Sequence, residues 1–144
     1  MHRIYIAGAY ERKHEFRIRR ALLEDFGFVV TSRWLFGASP VMQSVEYYKQ
    51  CAAGTVKVDI ADIAVADTML CFTEPPGSEY TRGGRHVEFG IAMEMHKRII
   101  VIGPRENMFY YAEGVEQYDT FAEFVTECLG PIPLERELAS EHNL

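Results

Sequence analysis

The stretch Arg98-Ile99-Ile100-Val101-Ile102-Gly103-Pro104 decides the fold of this chain. Its apolar residues run without alternation and stop at a Gly-Pro pair. A strand with one wet face alternates apolar and polar side chains, whereas a strand covered on both faces does not. The run therefore predicts a strand inside a parallel sheet. Similar runs lie upstream: Ile4 to Ala7 ending in Gly8, Phe28 to Thr31 entered through Gly27, and Ala64 to Phe72. Helical patterns separate them. Phe16, Arg20 and Leu23, with Ala21, Leu22 and Phe26, predict a helix over 12–26. Two more are expected from 45 to about 61 and over 84–96, the latter burying a stripe of Val87, Ile91 and Met95. A last helix is expected over 120–129, with Thr120 as N-cap and Gly130-Pro131 as its stop. Strand and helix in alternation imply right-handed βαβ units. The expected fold is a doubly wound, flavodoxin-like or Rossmann-like, mostly parallel α/β sheet of about five strands with helices on both faces. It spans residues 1–130, and 131–144 read as a polar C-terminal tail.

Composition narrows the partners. The chain has 144 residues and a net charge of −6, whereas a nucleic-acid backbone selects a basic stripe. A small neutral or weakly charged ligand fits better. Cys51, Cys71 and Cys128 have neither disulfide nor zinc spacing. No apolar stretch approaches the roughly 18 residues that cross a bilayer. The first residues run straight into a strand, unlike a signal peptide, so a cytoplasmic protein without membrane contact is expected.

In doubly wound sheets ligands bind beyond the carboxyl ends of the strands. The turn Gly8-Ala9-Tyr10 and the loops after Phe72 and Ile102 fall there. The first turn is similar to the start of a phosphate-binding loop, but it lacks G-x-G-x-x-G and continues into Tyr10-Glu11, which disfavours a dinucleotide cofactor. Gly8 then reads equally as a tight turn. Glu88 lies early in its helix, where the positive end of the dipole favours an ionised nucleophile, with Gly84 and Gly90 leaving room for a ligand. It reads as readily as an exposed glutamate paired with Arg85, three residues back. Asp59 and Asp62 share one face near a helix end, where two acids are unfavourable, so either a function or an unseen salt bridge accounts for them. Tyr5 reads as core with its hydroxyl at the margin, or as part of a site. His86 has Gly90 at i+4, so no metal site is expected. Trp34, Phe36, Tyr10 and Phe72 offer stacking surfaces for a base.

Taken together, these residues resemble the nucleoside 2-deoxyribosyltransferase family. The resemblance rests on Ile4-Tyr5-Ile6-Ala7-Gly8, on Asp59 to Leu70, and on Gly84-x-x-x-Glu88-x-Gly90 followed by Lys97-Arg98-Ile-Ile-Val-Ile, in that order over roughly residues 3–125. It implies a glutamate nucleophile at Glu88 that attacks C1′ and a tyrosine at Tyr5 that holds it. It also implies an aspartate at Asp59 that serves the leaving base or the sugar, a duty Asp62 could share. It places Asn107, beside Met108, as the asparagine that a neighbouring subunit inserts against the sugar 5′-hydroxyl, hence a homo-oligomer. Gly8, Ala9, Tyr10, Trp34, Gly84, Arg85, Asn107 and Met108 are the expected substrate contacts. Two departures from the family stand out. Arg85 and His86 stand where small residues are usual, and Arg82 stands six positions before the nucleophile in place of a common aspartate.

The implied activity is transfer of a (2-deoxy)ribosyl group between nucleobases through a glycosyl ester, with retention, on nucleosides and free bases and without a cofactor or metal. A nucleoside C–N bond breaks through an oxocarbenium-like state that an anionic oxygen near C1′ stabilises and then captures. An alternative is hydrolysis of (deoxy)nucleoside 5′-monophosphates on the same fold. Serines usually meet the phosphate in such enzymes where this chain has Asn107, while Arg82 and Arg85 favour a phosphate. A non-catalytic nucleotide-sensing module is a third reading, which requires Glu88 to be dispensable.

Overall fold

The computed structural model describes residues 1–37 and 44–131. The tail over 132–144 lies outside the described residues. Five parallel strands form one sheet: β1 (Arg3–Ala7), β2 (Val29–Val30), β3 (Thr68–Phe72), β4 (Arg98–Ile102) and β5 (Glu116–Tyr118), in the order β2-β1-β3-β4-β5. Helices α1 (Lys13–Asp25), α2 (Val45–Val65), α3 (Gly84–Glu94) and the short α4 (Phe121–Phe124) flank it, and α4 runs on into a π-helical turn, Val125–Leu129. This is the doubly wound parallel architecture expected from the apolar runs.

Those runs are explained by two cores. Ile4, Ile6, Leu70, Phe72, Ile100 and Ile102 pack against Phe16, Leu23, Phe121 and Phe124 on the side of α1 and α4. Tyr5, Ala7, Met69, Cys71, Ile99 and Val101 pack against Ile63, Phe89 and Ala92 on the side of α2 and α3. Successive residues of one strand point to opposite faces, so both sets must be apolar. The same alternation aims Tyr5 at the α2 and α3 side. At the end of β1, Gly8 is required by packing: a Cβ there would lie 2.5 Å from the Phe16 ring.

Three expectations are corrected. Helix α2 continues to Val65 and β3 starts only at Thr68. Ala66 ends the helix, and the Asp67 carboxylate accepts from the backbone N–H of His2 and Arg3 at 2.9 and 2.8 Å, which aligns β3 with β1. The stripe that α3 buries is Arg85, Phe89 and Ala92, while Val87 is 66% exposed and Met95 is exposed as well. Both sets recur at helical spacing, and the charge on Arg85 disguises the true one. Helix α3 also stops at Glu94, with His96 at a positive φ of 57°.

The fifth strand has no apolar run. It is a polar edge, Glu116-Gln117-Tyr118, paired with Ile100–Ile102 and clipped to β4 by Arg98, whose Nε and Nη2 each donate to Glu116 at 2.7 Å.

Candidate active site

The strand order reverses between β1 and β3, and a cavity of about 660 Å³ opens beside that point, between the β1 turn, α2 and α3. A crevice there follows from connections that leave β1 in one direction and later return in the other. Gly8, Ala9 and Tyr10 line it from the β1 turn, Trp34 from the segment after β2, and Asp59 from α2. Arg82, Gly83, Gly84, Arg85 and Glu88 line it from the start of α3. Its size suits a nucleoside-sized molecule.

Buried polar groups are normally hydrogen-bonded. Six described side chains carry a buried polar atom with no partner; among them Asp59 (Oδ1) and Glu88 (Oε2) belong to residues that line this cavity, and Tyr5 (Oη) lies in the core close to Glu88. Glu88 comes from the first turns of α3. Gly83 begins that helix in the left-handed region, φ 84°, and a Cβ placed on Gly84 would stand 3.9 Å from Glu88 Oε1. The backbone of the first turn thus borders the carboxylate.

Burial raises the Glu88 carboxyl to about 8, opposed by the Tyr5 hydroxyl and assisted by the charge of Asp59. Tyr5 lies close enough to favour the ionised carboxylate without forming a hydrogen bond of full geometry. Desolvation is the largest influence on Glu88 and favours its protonated form. Asp59 is pushed up to about 6 by burial and by Asp62, with Arg33 pulling it down. Burial, with the neighbouring acids, drives the Tyr5 phenol far above its ordinary value, so it stays a donor.

Two of the readings left open by spacing are settled by contacts. Arg85 does not pair with Glu88: its Nε and Nη2 grip Glu106 at 2.8 and 2.6 Å. Asp62 is buried away from the cavity lining, and its carboxylate accepts from Arg33 Nε at 2.9 Å and from the Arg33 N–H at 3.0 Å. That pair anchors the helical turn Arg33–Phe36, and with it Trp34, whose Nε1 donates to the Ile6 carbonyl at 2.8 Å.

Among the stacking candidates, Tyr10 and Trp34 line the cavity with ring centroids 6.3 Å apart. Phe72 is core, 4.7 Å from the Phe16 ring, and Phe36 is exposed under Arg17 and Arg20. Asn107 and Met108 do not line the cavity of their own chain. The Asn107 oxygen accepts from Phe109 N–H at 3.0 Å and caps the turn Met108–Tyr111, which exposes Met108, Phe109 and Tyr111.

Sequence reasoning missed the wall contributed by α2. Tyr48, Cys51 and Thr55 line the cavity with Asp59. Their spacing of three, four and four residues places them on one helical face, and that was the signal available.

No protein-family model matches the chain, and no curated protein sequence does. Solved structures do. The CMP N-glycosidase BcmB of Clostridium botulinum aligns with a TM-score of 0.55 at 24% identity, over 87% of this chain and 96% of its own. A 2-deoxyribosyltransferase from Bacillus psychrosaccharolyticus aligns with 0.56 at 16% identity, over 90% and 96% of the two chains. The 2-deoxyribosyltransferase of Leishmania mexicana gives 0.56 at 17%, over 89% and 99%. The five-stranded parallel sheet with its flanking helices is thus the nucleoside 2-deoxyribosyltransferase fold.

Proposed function

We propose that this protein breaks the N-glycosidic bond of a nucleoside and transfers the (2-deoxy)ribosyl group to a second base through an ester on Glu88. The observation that carries this reading is that the unpartnered polar atoms of Asp59 and Glu88 lie on one cavity, with the buried Tyr5 hydroxyl close to Glu88. Such atoms wait for the hydroxyls and base of a ligand. Glu88 attacks C1′ as the C–N bond breaks, and the electron pair of that bond leaves with the base. The base takes a proton from the Asp59 carboxyl, which burial and Asp62 raise to about 6. The nearby Tyr5 hydroxyl favours the ionised form of the Glu88 carboxylate. An incoming base then displaces Glu88 from C1′ and returns a proton to Asp59, and two inversions give retention.

A neighbouring copy completes the site in this reading. The exposed Met108 (77%), Phe109 (60%) and Tyr111 (69%) beside Asn107 support that part, since such a cluster suits an interface better than solvent.

Hydrolysis of a nucleoside 5′-monophosphate is the second reading. It is favoured by Arg82, which lines the cavity without a carboxylate partner among the described residues.

A deoxynucleoside mixed with a second free base separates the possibilities by chromatography. A new nucleoside supports transfer, release of free base alone supports hydrolysis, and no turnover of any nucleoside or nucleotide overturns both.

A further inference from the structure

Arg85 is a cation only 6% exposed, three residues before Glu88 on α3. Its guanidinium joins three segments. It is carried by the first turn of α3, it grips both Glu106 oxygens in the connection after β4, and its Nη1 donates to the Tyr80 carbonyl at 3.0 Å. Tyr80 lines the cavity, as do Arg82 and Gly83 between it and the helix. The next residue repeats the tie: His86 Nδ1 lies 2.7 Å from the Tyr110 hydroxyl, and the Tyr110 ring packs 4.3 Å from Phe89.

Stability alone does not account for such a group. A buried ion pair recovers its desolvation cost only with good geometry, and apolar side chains of equal volume commonly serve as well or better. The first turn of α3 also has no side-chain cap, because its N-cap is Gly83. What holds that turn is the fork of Arg85, and the turn's backbone borders the Glu88 carboxylate at Gly84. A small shift of the turn is therefore passed directly to the group that must meet C1′.

We propose that Arg85 is a positioning residue for the glycosyl reaction: its two-sided grip on Glu106 and Tyr80 sets where the first turn of α3, the Glu88 carboxylate and the Tyr80–Gly83 rim stand. The inference rests on the assignment of Glu88 as the nucleophile. It also removes Arg85 from the groups available to bind a substrate phosphate.

The test uses the full chain with Arg85→Lys and Glu106→Gln, each close to the size of the original. Lysine keeps the charge but lacks the planar fork, so it cannot hold both Glu106 oxygens and the Tyr80 carbonyl together. Both variants should fold with amide exchange accelerated at residues 80–88 and unchanged in β1, β3 and β4. In both, kcat should fall by roughly 10²-fold, the scale of an ångström-sized misplacement, with a smaller change in KM. The double variant should lose no more than the worse single one, because each removes the same clamp. If Arg85→Lys is unfolded, Glu106→Gln decides alone. Native kcat and native exchange at residues 80–88 in a folded variant would overturn the proposal, as would a loss matching only the unfolded fraction. Glu88→Gln in the same assay keeps the two ideas apart. Full activity there removes the chemical assignment, while the exchange data still judge the clamp.

Discussion

Asp59 on α2 and Glu88 on α3 line the same cavity, and the charge of Asp59 joins burial in holding the Glu88 carboxyl at about 8. Asp59 itself stands at about 6, raised by burial and by Asp62. These values favour the proton on the group proposed to attack, whereas the reacting arrangement needs it on Asp59. A minority protonation state is the reactive one, and this shapes the first expectation.

The pH dependence of kcat/KM should be a bell with limbs near 6 and 8, belonging to the pair rather than to either residue alone. Replacing Asp59 by Asn removes a negative neighbour, so the Glu88 value falls. What activity remains should then rise with pH through a single value below 8. Measurement of kcat/KM from about pH 5 to about 9 in both proteins checks this. A rise still centred near 8 in Asp59→Asn would count against the coupling.

Glu88→Gln should lower turnover by roughly 10⁴-fold in a folded protein, since the lost group acts in the transition state. Its stability should move the other way. The folded carboxyl releases its proton near 8 and the unfolded one near its ordinary 4.5, so between these values the folded state binds more protons. Wild-type stability then falls as pH rises across that window. The amide does not titrate, so its stability advantage should widen from about pH 5 to about pH 8, reaching about 1 kcal/mol or more and seen as a growing gap in Tm. Parallel melting curves across that range would refute this if the gap stayed constant.

Arg82→Ala separates the two substrate readings. The loss of one charge-assisted contact should cut kcat/KM for a 5′-monophosphate by roughly 10- to 100-fold and leave a nucleoside within a few-fold. In the unaltered protein the transferase reading expects nucleosides to react better than their monophosphates. The reverse order would move the assignment to the hydrolase, with Arg82 as the phosphate ligand.

A nucleoside bearing a 2′-fluorine should leave a detectable ester. The electronegative substituent opposes positive charge at C1′, which slows formation and breakdown of the intermediate. Intact-protein mass spectrometry should show the added sugar, and peptide mapping should place it on the segment containing Glu88. An adduct on Asp59 would reassign the nucleophile, and inversion of the anomer without any adduct would replace the double displacement by attack of water.

Assembly is tested by Phe109→Ser with Tyr111→Ser. Sedimentation should show an oligomer of the unaltered chain and smaller species in the double variant, with lower turnover. A fully active monomer would contradict a site completed by a second subunit.

Much of the sheet was legible because burial on two faces leaves no freedom in a strand: Ile4 to Ala7, Met69 to Phe72 and Ile99 to Ile102 had to be apolar throughout. The edge was not. Glu116-Gln117-Tyr118 has one neighbour strand and polar surroundings, so no hydrophobic signal marks it. Periodicity also failed on α3, where Val87, Ile91 and Met95 match the helical repeat as well as Arg85, Phe89 and Ala92 do. Only the partner, Glu106, shows that the charged residue faces inward.

The chain's own order of residues determined the parallel α/β sheet and a turn at Gly8, while Tyr5, Asp59 and Glu88 stood out through the resemblance to the nucleoside 2-deoxyribosyltransferase family. The sheet follows from short-range rules, the unbroken apolar runs and the helix spacing, whereas the approach of Phe16 to Gly8 belongs to the tertiary structure. The tertiary structure alone decided which of the acids shares the site with Glu88. Asp59 and Asp62 lie three residues apart, yet one lines the cavity and the other is held by Arg33. It also decided the state of Glu88, because desolvation depends on everything packed around a carboxylate and not on its place in a helix.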